Sequence, residues 1–242
     1  MVQETHRKNI LTVKPFGNIN FNLCRSAKEL FVHFDYLPPH KHELQTMQDG
    51  FDTPKRKPIP DEILKVIQSK CQITDDEPRW LIALISDTGT RLSEAAGLSK
   101  DDVYLDEEVP YVDIKPHPWR RLKTAGSQRT IPLVGMSLWA ARRAYEASNS
   151  PFLFSRYCDE KECHSNSASA ALNKWLKRVA GPNYVIHSFR HSMRDRLRAV
   201  NCPSDMIDQI GGWSSGKIGE GYGEGYSLNA LHNSIGNIIH FD

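Results

Sequence analysis

Three short strand-like runs, VYLD at 103–106, VPYVDIK at 109–115 and RTIPL at 129–133, stand between long blocks of helical periodicity. A basic turn, WRRLKTAGSQ, joins the last two. Short alternating runs separated by turn residues read as a small antiparallel sheet, here on the edge of a helical domain. Pro60, Asp61 and Glu62 open a helix through DEILKVIQSK, with the acids at its positive end. A second helix is expected from Glu77 to Asp87, with Trp80, Leu81, Leu84 and Ile85 on one face. Asp87-Thr88-Gly89-Thr90 breaks it, and Arg91 to Leu98 resumes a helix that ends near Gly97. Helical patterns return at about 137–148, 167–180, 188–201 and 204–211, and SLNALHNSI is expected as a tail helix. The fold class is therefore mainly α with a small antiparallel β-sheet (α+β).

The first 50 or so residues are unlike the rest, short on periodicity and rich in turn pieces such as Leu37-Pro38-Pro39-His40. FDTPKRKPIP, with three prolines and three basic residues, reads as an extended linker. The expected organisation is an N-terminal segment and linker over 1–57 and a main domain over 58–242.

Of the 242 residues, 39% are hydrophobic and 25% charged, the balance of a soluble globular protein. Net charge is only +2, so bulk charge says nothing about nucleic acid. Its distribution says more. Ile114 to Tyr145 holds no acid but seven basic residues, Arg120, Arg121, Lys123 and Arg129 among them; Lys174 to Arg198 holds seven bases and one acid, Asp195. Such stretches either assemble a phosphate-binding face or are balanced by acids elsewhere in space. The five cysteines are odd in number and scattered, and no apolar run approaches the ~18 residues of a membrane span. A reducing cytoplasm is the simplest setting. Cys158, Cys163 and His164 lack the second ligand pair that zinc spacing requires, so no metal is expected.

Four places concentrate polar groups that a fold does not need. Arg91, after the Gly89 break, either projects from a helix start or pairs with Glu94 on the surface. Lys123 sits at the tip of the Thr124–Ser127 turn, where a solubilising lysine is the commoner reading. His187 and Arg190, three apart, share a helical face, and an imidazole beside a guanidinium suits a phosphate. His191 points elsewhere. Last, GGWSSGKIGEGYGEGYS, Gly211 to Ser227, puts Trp213, Lys217, Tyr222 and Tyr226 in a glycine-rich stretch with little core for a tyrosine to pack on.

In this order, the text TGTRLSEAAGL, LKTAGSQRTIPL, HSFRHS and GGW followed by Tyr222 resembles the tyrosine recombinase (phage integrase) family over about residues 58–230. The resemblance implies that family's catalytic-domain fold and a site-specific DNA recombinase or integrase. Tyr222 would be the nucleophile, leaving a covalent 3′-phosphotyrosine and a free 5′-hydroxyl. Arg91 and Arg190 would clamp the nonbridging oxygens and Glu94 would support Arg91. Lys123 would protonate the leaving oxygen, and His187 would accept the tyrosine proton or bond the phosphate. Arg120, Arg121, Arg129 and Lys217 are expected on DNA. Trp213 stands where most members have His and some have Trp; its N–H donates but does not exchange a proton, leaving phosphate contact or packing. Tyr226 is either a register alternative for the nucleophile or an anchor for the tail helix.

The family usually carries a helical domain ahead of the catalytic one, so residues 1–57 are expected to be a remnant or a truncated core-binding domain. No cofactor is implied. The implied partners are a double-stranded DNA recombination site and further copies of the chain, as a tetramer on DNA, in the cytoplasm of a bacterial or phage-infected cell. Two other readings stay open: a nicking-closing enzyme like the type IB topoisomerases, and a non-catalytic DNA-binding integrase fragment.

Overall fold

Helix α2, Glu77–Thr88, is buried along almost its whole length, from Trp80 to Thr88. A helix apolar on every side belongs at the centre of a domain, and the other elements pack around it. The computed structural model describes residues 56–213 and 225–239, all within a single compact unit. The expectations for residues 1–55, for Lys217 and for Tyr222 lie outside the described residues.

Helix α1, Asp61–Thr74, lays Leu64, Ile67 and Cys71 on α2, the i, i+3, i+7 stripe of an amphipathic helix. Asp76 caps α2 by accepting the Arg79 amide at 3.2 Å. Gly89 ends α2 in the left-handed region at φ +62°, where a Cβ would meet the Met193 side chain at 2.8 Å. Helix α3, Leu92–Ala96, follows after a three-residue interval. Strands β1 (Val103–Tyr104), β2 (Tyr111–Ile114) and β3 (Arg129–Pro132) form an antiparallel sheet in that order, with Val103 opposite Val112 and Ile114 opposite Arg129. The sheet predicted from the three short runs is thus present, its strands trimmed to two to four residues.

The remaining helices are α4 (Gly135–Ala147), α5 (Ser165–Ala180), α6 (Ser188–Ala199), α7 (Ser204–Gly211) and the tail α8 (Leu228–Gly236). Helix α8 buries Leu231 and Ile235 and packs on β3 of its own chain. This is a mostly helical fold with a three-stranded antiparallel sheet.

One buried polar hub crosses this core. Asp87 accepts bonds from Arg196 Nη1 (3.1 Å), Gln68 Nε2 (3.0 Å) and the Met136 amide (3.0 Å), tying α6, α1 and α4 to α2. Burial raises the Asp87 carboxyl above its ordinary range, and the Arg196 charge opposes that rise. Arg196 also donates to the Ile238 carbonyl at 2.8 Å, which fastens the end of the tail to the same hub.

Candidate active site

Arg91 occupies the N-cap of α3, directly after the glycine break. Its Nη1 donates to Glu94 Oε1 at 2.5 Å and to Ser127 Oγ at 3.1 Å, and its Nη2 to the Gly212 carbonyl at 3.2 Å. The guanidinium keeps 21% of its side-chain surface open. Glu94 is buried and takes three further restraints: the Arg91 amide at 2.9 Å, Arg129 Nη2 at 3.0 Å, and its place on α3. Burial works against its charge, but Arg129 and Arg91 together hold the carboxyl below its usual value. The pairing of Arg91 with Glu94 and a projecting role for Arg91, which read as alternatives in the sequence, coexist: the pair aims the arginine.

Arg190 sits in the first turn of α6. Its two terminal nitrogens reach the Gly89 carbonyl (2.7 Å) and the Gly211 carbonyl (2.8 Å), and its guanidinium lies 4.7 Å from the Trp213 ring centroid. Burial, then the Arg91 charge, lowers its pKa to about 10, so it stays cationic at neutral pH. Arg194, one turn on, covers the same indole at 4.9 Å. Two arginines from successive turns of α6 therefore lie over the Trp213 indole. Gly211 makes this possible, since a Cβ there would fall 1.9 Å from the indole. Gly212 adopts φ +61°, and a Cβ on it would meet Arg129 Nη1 at 2.7 Å.

His187 precedes α6 as its N-cap. Burial and the positive charges of Arg56, Arg190, His191 and Arg91 push its pKa down to about 4, leaving a neutral imidazole at pH 7 that can accept a proton. His191 is not turned fully away, for its ring meets that of His187 edge-on at 5.4 Å.

A model of the phage integrase family matches residues 60–224, well over half of the chain. The chain belongs to the phage integrase family. The family match spans Tyr222, and within it the structure brings Arg91, Glu94, His187, Arg190 and Trp213 together. A search among curated proteins found no match. Among solved structures, the Tn1549 transposon integrase (residues 82–397) in complex with circular intermediate DNA is similar at 18% identity and a TM-score of 0.53, over 79% of this chain and 70% of that one. The same integrase with transposon right end DNA aligns at 19% identity and TM-score 0.51, over 76% and 62%. The XerH site-specific recombinase on palindromic difH substrate, a post-cleavage complex, aligns at 18% identity and TM-score 0.50, over 74% of this chain and 49% of that one. This integrase-family chain thus spans about half the length of the XerH chain, and the likeness is one of fold: the tyrosine recombinase catalytic domain.

Two expectations about basic residues need correction in this chain. Arg120 is only 2% exposed and donates to the Glu94 carbonyl (2.7 Å) and to the Lys115 carbonyl. Arg129 is 8% exposed and donates to the carbonyls of Ser127 (2.6 Å) and Ile210 (2.8 Å) as well as to Glu94. Both side chains are buried and donate inward to the protein, so they brace the site from inside and present almost no surface to a phosphate. Arg121 and Lys123 are exposed. Their loop is fastened at one end to buried Asp102, which takes Lys115 Nζ at 3.1 Å and His117 Nε2 at 2.9 Å. At the other end Ser127 bonds Thr124 Oγ1 at 2.9 Å and receives Arg91.

Tyr226 takes the anchor role. Its hydroxyl donates to Asp205 Oδ2 (2.9 Å), and its amide and carbonyl clasp the Gln209 side chain at 2.9 and 3.1 Å. The bond to Asp205 raises the phenol pKa, the wrong direction for a nucleophile. Reasoning from the sequence missed Ser127, Arg194 and the need for Gly211. Only the Gly-Gly pair before Trp213 signalled any of them. Among the described residues, no group of three or more His, Cys, Asp or Glu side chains could hold a metal ion, and no helix is long and apolar enough to cross a membrane.

Proposed function

We propose that the chain breaks and rejoins double-stranded DNA at a specific site through a covalent 3′-phosphotyrosine on Tyr222. The observation that carries this reading is the convergence of Arg91 and Arg190, both cationic and both held by buried partners, beside a neutral His187. Such donors are preorganised for charge that develops on a phosphoryl group. The Tyr222 oxygen attacks phosphorus, the bond to the 5′-oxygen breaks, and Lys123 supplies the proton to that oxygen. His187 takes the tyrosine proton. A 5′-hydroxyl from the partner strand then reverses the step, conserving the phosphodiester bond. Arg121 and Lys217 contact the DNA backbone. Four copies assemble on DNA to exchange strands, in the cytoplasm of the cell that carries the element.

The test is a pool of nicked duplexes of randomised sequence, incubated with the wild type, Tyr222→Phe and Tyr226→Phe, with covalent adducts resolved on a denaturing gel. The expected result is adduct from the wild type and Tyr226→Phe and none from Tyr222→Phe. DNA binding with no wild-type adduct would point to a binding module. Adduct with relaxation of supercoils by a monomer would point to a nicking-closing enzyme.

A further inference from the structure

Away from the arginines, residues 157–164 carry a second arrangement of reactive groups. His164 N–H donates to the Tyr157 carbonyl at 2.8 Å and Asp159 N–H to the Glu162 carbonyl at 3.2 Å. Between these two bonded positions Cys158 faces Cys163 as an antiparallel bridge. The position between bonded pairs of an antiparallel ladder is the close one, with Cα atoms about 4.5 Å apart, inside the range of roughly 4.4–6.8 Å that disulfides span. Cys158 Sγ lies 3.8 Å from the Asp159 carbonyl, and the two thiols are near enough to influence each other's ionisation. The Asp159 carboxylate closes the turn by accepting the amides of Lys161 (2.8 Å) and Glu162 (3.0 Å), so the hairpin is preformed.

The two sulfurs are not equivalent. Cys158 is buried, whereas Cys163 is partly open. The neighbouring Cys158 thiol favours a thiolate on Cys163; burial opposes it, and Arg120 and His164 add their positive charge. Its partner is pushed up by that same proximity and by burial. Cys163 also lies 3.8 Å from the carbonyl of Ser93, between Arg91 and Glu94 on α3.

We propose that Cys158 and Cys163 form a redox-modification site, a dithiol that closes to an intramolecular disulfide on reaction with a low-molecular-weight disulfide such as oxidised glutathione. The Cys163 thiolate attacks one glutathione sulfur, forming a mixed disulfide and expelling the other glutathione as thiolate. The Cys158 sulfur then attacks Cys163 Sγ, and the second glutathione leaves, the two released thiolates taking up the protons that the cysteines lose. The dithiol is oxidised by two electrons and the small disulfide is reduced to two thiols. Cys163 Sγ rests against the Ser93 carbonyl, so closure alters a contact of the helix that follows Arg91.

The test incubates the full chain in a series of oxidised and reduced glutathione mixtures, quenches in denaturant with an alkylating agent, and reads peptide masses after cleavage at Lys161. The expected result is that the peptides on either side of Lys161 stay joined through sulfur and separate on reduction, while Cys71 and Cys202 are fully alkylated. Alkylation of Cys158 and Cys163 in step with those two, or a stable glutathione adduct on Cys163 in the wild type, would overturn the proposal. Cys158→Ser is expected to trap the Cys163–glutathione adduct and Cys163→Ser to leave Cys158 unmodified; the reverse pattern would overturn the order of attack.

Discussion

Arg91 and Arg190 donate to neighbouring carbonyls, Arg91 to Gly212 and Arg190 to Gly211. Two like charges are thereby held close by one turn of backbone. Arg190 spans two carbonyls, those of Gly89 and Gly211, with a planar fork that a lysine does not have. Arg190→Lys is expected to keep the fold and to slow single-turnover adduct formation by about 10²–10³, the scale of losing one donor to a developing charge. An undiminished rate in quench-flow would show that the fork does not matter.

The indole of Trp213 is a surface for Arg190 and Arg194 rather than a proton carrier. Trp213→Phe should therefore retain more adduct-forming activity than Trp213→Ala. Each arginine–aromatic contact contributes on the order of 0.5–1 kcal/mol. Equal activity in the two variants would remove the stacking role.

Gly211→Ala places a methyl where the indole ring now lies. Overpacking of this kind costs about 1–3 kcal/mol, and the indole has to leave. The variant is expected to unfold at lower urea and to shift the tryptophan emission toward that of a solvated indole. Unchanged emission would contradict the close approach.

His187 titrates in the folded chain at about 4, against an ordinary 6.5. With a depressed folded pKa, the neutral ring contributes its full stability above 6.5, and that contribution is lost as pH falls from 6.5 through 4. Proton NMR of the imidazole should show a midpoint near 4, and His187→Gln should flatten the acid limb of the stability profile. A midpoint near 6.5 would refute the buried, cation-flanked setting.

Arg121 and Arg120 are adjacent in sequence and opposite in setting. Arg121→Ala should lower DNA affinity and reduce the slope of log affinity against log salt by about 1. Arg120→Ala should instead lower the unfolding midpoint. An altered salt slope with unaltered stability in Arg120→Ala would place that side chain on DNA after all.

Most helix positions were legible because their periodicity is strong: α1 and α2 begin at the expected residues, Asp61 after Pro60 and Glu77. The order of Arg91, Lys123, His187, Arg190 and Trp213 was legible as a pattern. What the sequence did not disclose was direction. Arg120, Arg121 and Arg129 look alike in a basic run, and only packing against Glu94 and the carbonyls of Lys115, Ser127 and Ile210 separates the buried pair from the exposed one. Ser127 read as a turn residue, because its bond to Arg91 joins positions 36 apart.

Helix α7 holds the chain at two points: the Trp213 amide donates to the Asp208 carbonyl at 3.0 Å, and Tyr226 is clasped by Gln209. Tyr226 directly precedes Ser227, the N-cap of α8. Gln209 thus moors the start of the tail. Without that amide, the approach of α8 to β3 would rest on the Asp205–Tyr226 bond and on the burial of Leu231 and Ile235.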